Sequence, residues 1–162
     1  MTAAAPIVAG RSVVFESVGS GASTSHIVLD FGPQSFQFDV HYDGSITGLE
    51  ALELIEDSSI FRLETQSFSF GELVSGMDYG GFKFAGVGTG GDDFWSYYVG
   101  DGESWSFSGQ GAGDRVLSNG SYDGWVWAAA QDGGPDFPIA IPEPAGVTLL
   151  TCAGLFLRRR RR

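Results

Sequence analysis

Residues able to do chemistry in this 162-residue chain fall in three places. The first is a C-terminal series: Pro142, Glu143 and Pro144, then an uncharged apolar run over residues 145–157, then Arg158, Arg159, Arg160, Arg161 and Arg162. An apolar segment that ends in a cationic block holds that block on the cytoplasmic side of a membrane and leaves everything N-terminal to it outside. The second place is a pair of aromatic segments, residues 92–102 with Phe94, Trp95, Tyr97 and Tyr98, followed by Trp105 and Phe107, and residues 119–127 with Tyr122, Trp125 and Trp127. On strands, alternation sets Trp95 with Tyr97, Trp105 with Phe107, and Trp125 with Trp127. Such stripes serve either as stacking platforms for a glycan or small molecule, or as core filling, because aromatic side chains supply the largest buried areas available. The third place is a set of carboxylates, Asp92, Asp93 and Asp101, among glycines; their oxygens suit Ca²⁺, although the spacing is not that of an EF-hand loop.

Other chemistries are excluded by what the chain lacks. Cys152 is the single cysteine and lies in the apolar run, so neither an intrachain disulfide nor a multi-thiolate zinc site can form. Adjacent Asp92 and Asp93 point to opposite faces of a strand and cannot flank one substrate bond. No nucleophile elbow, zinc-helix or phosphate-loop pattern occurs. The expectation is a protein that is not an enzyme, with no catalytic residues and no cofactor. Charge removes another class. The formal net charge is −11, but five of the nine basic residues are residues 158–162; the remainder carries 20 acidic against 4 basic side chains, or −16. A body so acidic repels phosphate backbones, so nucleic acid is not among the expected partners.

The elements that must position these groups are mostly strands. Residues 1–10 are small and apolar, without the basic start and long apolar run of an export signal; the expectation is that the true start lies upstream, with Ala3-Ala4-Ala5 near a lost cleavage site. Residues 11–18 read as a strand and residues 19–25 as a loop rich in Gly, Ser and Thr. Residues 26–31 and 34–42 read as a hairpin around Gly32-Pro33. Phe36, Phe38, Val40 and Tyr42 occupy one face, and Gln37, Asp39 and His41 the other. Thr47, with Glu50 three residues on, predicts a capping box opening a helix over 47–57. Further strands are expected at 60–66, 82–84, 94–99, 104–107, 115–117 and 124–128. The order of hairpin, helix and strands predicts an α+β fold, one helix laid across a mainly antiparallel sheet. The domain spans residues 11–130, followed by a linker over 131–141 and the C-terminal segment 142–162.

Residues 142–162 resemble the PEP-CTERM sorting signal of exopolysaccharide-producing Gram-negative bacteria, with the Pro-Glu-Pro motif, apolar stretch and arginine block in order. The resemblance implies an exported precursor that inserts in the inner membrane and is cleaved near the motif by an exosortase. Pro142, Glu143 and Pro144 would then be the recognition triplet, 145–157 a transmembrane helix and 158–162 the stop-transfer block. It further implies a destination at the cell surface or in the extracellular matrix, with exopolysaccharide as a partner. The 13 residues of the apolar run reach about 20 Å as a helix against a hydrocarbon core of roughly 30 Å, a gap narrowed by arginine snorkelling and bilayer thinning. A weaker resemblance covers the body. A Thr47-Gly48 helix start followed by Trp95-Ser96-Tyr97-Tyr98-Val99-Gly100 is similar to the domain of unknown function at the C-terminus of transcobalamin-type proteins, which implies a β-grasp-like fold and a ligand-binding heritage. Gly100-Asp101-Gly102 stands where that family has Asn-Gly. Residues 105–127 also resemble a segment of uncharacterised exported bacterial proteins.

Overall fold

The computed structural model describes residues 7–8, 11–69, 71–87, 93–101 and 104–128. The chain forms strands β1 (Ile7–Val8), β2 (Arg11–Gly19), β3 (Ser23–Asp30) and β4 (Ser35–Tyr42), helix α1 (Gly48–Ser58), then β5 (Arg62–Phe68), β6 (Gly71–Tyr79), β7 (Phe82–Ala85), β8 (Phe94–Gly100), β9 (Trp105–Phe107) and β10 (Tyr122–Ala128). The α+β class is as expected: mostly strand, with one helix among the described residues.

The expected hairpin is β3 and β4. Its turn is closed by the Phe31 N–H donating to the Gln34 carbonyl at 3.0 Å, and by the Asp30 carboxylate accepting from the Gly32 N–H at 2.8 Å. Gly32 sits at φ +87°, a conformation that side chains with a Cβ resist. Alternation along β4 buries Phe36, Phe38, Val40 and Tyr42 on one face, joined by Ile27 and Leu29 from β3. Helix α1 opens as predicted: Thr47 Oγ1 accepts from the Glu50 N–H, and the Glu50 carboxylate accepts from the Thr47 N–H at 2.7 Å. Its apolar stripe of Leu49, Ala51, Leu52 and Ile55 is buried in the same core.

Two sheets share that core. The larger has the order β1-β2-β4-β3-β10-β8-β9, and the smaller β5-β6-β7. Most pairings are antiparallel, but β2 runs parallel to β4, and β10 parallel to β3. Val74, Met77 and Tyr79 of β6 enter the common cluster, where the Tyr79 ring meets Phe36 and Phe38 edge-on at 4.9 and 5.2 Å. Tyr79 also ties the two sheets together by donating its hydroxyl to the Glu16 carboxylate on β2.

Several expectations are corrected. Residues 19–25 are not all loop: β2 runs through Gly19 and β3 begins at Ser23. Residues 115–117 do not form a strand. They make one isolated bridge, Val116 with Thr47, and the Leu117 N–H donates to the Ile46 carbonyl, so this segment closes over the helix start. Strand β6 is absent from the expected strands, because Gly71, Gly76 and Asp78 interrupt its apolar residues and Ser75 is extra at a bulge opposite Glu64 and Thr65. Among the described residues no helix is long and apolar enough to cross a membrane; the expected transmembrane run, 145–157, lies outside them.

Candidate functional site on the outer face of the large sheet

Strand register alone brings a set of reactive side chains together. Ser17 of β2 pairs with Asp39 of β4, Asp39 with His26 of β3, His26 with Tyr122 of β10, Tyr122 with Gly100 of β8, and Gly100 with Trp105 of β9. Cross-strand partners point to the same side, so these six residues form one row across the sheet, on the face opposite the helix. At about 4.8 Å per strand the row is about 24 Å long.

The row is joined by hydrogen bonds and ring contacts. His26 Nδ1 lies 2.7 Å from Asp39 Oδ1, which also accepts from Gln37 Nε2 at 2.9 Å. An ionised carboxylate only accepts, so His26 Nδ1 carries the proton and Nε2 is left as the second ring nitrogen. Burial pushes the Asp39 carboxyl up, but hydrogen bonds from His26 and Gln37, with the charges of His26 and His41, outweigh it and hold the group below its ordinary value. The His26 imidazole stacks on the Tyr122 ring at 4.3 Å, and Trp105 meets that ring edge-on at 6.3 Å and 83°. Beside the row, His41 is held between Thr24 Oγ1 at 2.8 Å and Ser17 Oγ at 3.0 Å.

Gly100 makes room for Trp105. A Cβ there would sit 2.9 Å from Cε3 and 3.1 Å from Cδ2 of the indole, so the ring rests directly on the glycine backbone. The next row is greasier and more deeply set. Gln37, Val28, Gly124 and Tyr98 are buried, with exposed Phe15 and Phe107 at either end. Among the described residues, Gln37 Oε1, Trp105 Nε1, Ser35 Oγ and Ser96 Oγ are buried on this face without a hydrogen-bond partner.

The sequence-predicted residues separate. Trp95, Tyr97, Trp125 and Trp127 lie on the inner face. Trp95 and Trp125 are buried, Tyr97 stacks on Trp125 at 4.5 Å, Trp127 stacks on Phe84 at 5.2 Å, and Trp95 Nε1 donates to the Phe84 carbonyl at 3.2 Å. The expected pairing of these rings on shared faces holds, but the face is the core, so they form no exposed stacking row. Trp105 alone of the five faces outward. Its neighbours Tyr122, His26 and Asp39 are not among the site residues the sequence points to; the signal for them is the alternation that puts Gln37, Asp39 and His41 on the face away from Phe38. Of the carboxylates, Asp101 accepts from the Ser104 N–H at 2.8 Å and from its hydroxyl, closing the β8–β9 turn. Asp92 lies outside the described residues, as do residues 142–144 and 158–162. Among the described residues no three His, Cys, Asp or Glu side chains are grouped to hold a metal ion, Asp93 and Asp101 included.

Away from this face, a concavity of about 630 Å³ opens at the helix start between Thr47, Leu49, Glu50, Glu53, Glu72 and Asp114. Partial burial and then the charges of Glu50 and Glu72 push the Glu53 carboxyl above its ordinary value. Behind the helix start, Asp123 is fully buried, accepts from the Tyr97 hydroxyl, and has Arg115 Nη2 3.4 Å away. Burial raises the Asp123 carboxyl more than Tyr97 and Arg115 lower it. This triad fastens β8, β10 and the 111–117 segment to the helix and is structural. The chain matches no protein-family model and no curated protein.

Proposed function

We propose that this is a non-catalytic exported protein of a Gram-negative cell envelope or extracellular matrix, delivered by a PEP-CTERM-type signal and cut from it by an exosortase. The observation that carries the reading is the ordered series of Pro142-Glu143-Pro144, the uncharged run 145–157 and the arginines 158–162. In that reading 145–157 inserts as a short transmembrane helix, and the acidic body remains outside by the positive-inside rule. A β-grasp-like description of the body is supported by the strand order β4-β3-β10-β8-β9, with α1 following the first hairpin and the last strand inserted parallel to β3. The β5–β7 sheet is then an insertion between helix and second hairpin. The test is fractionation of an exosortase-bearing host making the chain behind a working export signal, with and without residues 158–162. Surface or medium localisation that depends on the arginines is expected; a full-length product that stays cytosolic overturns the reading.

A second reading, a small-molecule or glycan-binding module, is favoured by one observation: the half-buried row of Trp105, Tyr122 and His26 on the outer face. Its residues differ from the tryptophans of the core, and it is compatible with export.

A further inference from the structure

We propose that the outer face around Trp105, Tyr122, His26 and Asp39 binds an uncharged polysaccharide chain; this rests on the binding-module reading and names its site and ligand class. Trp105 lies with one face on Gly100, and Tyr122 stands at 83° to it, so the two rings make a floor and a wall at the edge of the sheet. His26, stacked behind Tyr122, stiffens that wall. A pyranose ring offers an apolar C–H face for such a floor and hydroxyls at its rim. Two groups along the row meet hydroxyls: Asp39 Oδ2, which accepts no hydrogen bond among the described residues on a side chain 39% exposed, and His26 Nε2. The aromatic part of the row, from β9 to β3, covers about 14 Å, and within it the Trp105 indole packs against the buried Val13 and Val28.

Other occupants fit less well. The body's charge of −16 opposes nucleic acid and anionic glycans, which leaves uncharged polymers. A peptide added to a sheet uses the main-chain groups of an edge strand. This row instead crosses six strands on a face whose main-chain groups serve the sheet's own ladders.

The experiment titrates the full chain with soluble hexasaccharides of β-1,4-glucose, β-1,3-glucose, α-1,4-glucose and β-1,4-N-acetylglucosamine, with alginate as the anionic control, and follows tryptophan fluorescence and heat of binding. At least one neutral hexasaccharide is expected to bind, and Trp105→Ala to weaken it about tenfold or more, as removal of a central aromatic anchor does. Asp39→Asn, which keeps the shape of a half-buried side chain, is expected to weaken it several-fold and serves if Trp105→Ala does not fold. Binding unchanged in both variants overturns this site while leaving the binding-module reading standing. No binding to any hexasaccharide overturns this proposal and the glycan alternative of the binding-module reading with it. Alginate binding as tightly as the neutral sugars overturns the ligand class.

Discussion

Gly48 is the first residue of α1, and its importance is steric. A Cβ there would come 2.7 Å from the Tyr97 hydroxyl, 3.2 Å from Asp123 Oδ2 and 3.3 Å from the Ala112 carbonyl, so the helix start is pressed against the buried triad. Gly48→Ala is therefore expected to destabilise the fold by about 1–3 kcal/mol despite alanine's better helix propensity, read from the denaturant midpoint. Thr47→Ala, which removes the cap while leaving that packing intact, should cost about 1 kcal/mol. The two buried or half-buried aspartates have opposite pH signatures. Asp39 is held below its ordinary value, so its stabilisation is present above the unfolded value of about 3.9 and is lost as pH falls through the lower folded value. Asp123 is raised, so it costs stability near neutrality, and that cost is relieved as pH falls through its folded value. Asp39→Asn should accordingly flatten the loss of stability on the acid side; an acid limb identical to wild type would remove Asp39 from the account.

At the scale of elements, the hairpin and the helix were legible because each is encoded locally. Phe36, Phe38, Val40 and Tyr42 alternate without interruption, and Thr47 and Glu50 stand at capping-box spacing. Phe38 is fully buried at the meeting of both sheets, and Phe38→Ala is expected to lower stability by about 3–5 kcal/mol in equilibrium unfolding. Strand β6 was hidden by the bulge at Ser75, which breaks the period of two on which strand reading depends. The parallel pairing of β2 with β4 was equally hidden, because which distant strands become neighbours is set by closure of the common core and not by either segment. The same limit applied to the site. Alternation grouped Trp95 with Tyr97 and Trp125 with Trp127 correctly, yet which group faced the helix depended on tertiary packing. The row of Asp39, His26, Tyr122 and Trp105 draws on four strands, and only their register reveals it.

For the whole molecule, charge and phenol burial give two independent consequences. Burial, reinforced by the carboxylate acceptors Glu16 and Asp123, raises the Tyr79 and Tyr97 phenols far above the ordinary value. Their protonated state favours the fold, so the stability they supply is present below about pH 10, where unfolded tyrosine ionises, and is lost as pH rises beyond it. In an absorbance titration, two of the five tyrosines should ionise only together with unfolding at alkaline pH. Charge speaks to topology. The net −11 combines a body of −16 with five terminal arginines, two regions that the proposed membrane insertion places on opposite sides. Cleavage near the Pro-Glu-Pro motif would leave residues 1–141 with 19 acidic and 4 basic side chains, a charge of −15 suited to a hydrated polymer matrix. The most direct measurement is the intact mass of the protein recovered from the surface or medium of an exosortase-bearing host. The account predicts a C-terminus near residues 142–144, with 158–162 absent; a recovered chain that still ends in Arg162 would contradict it.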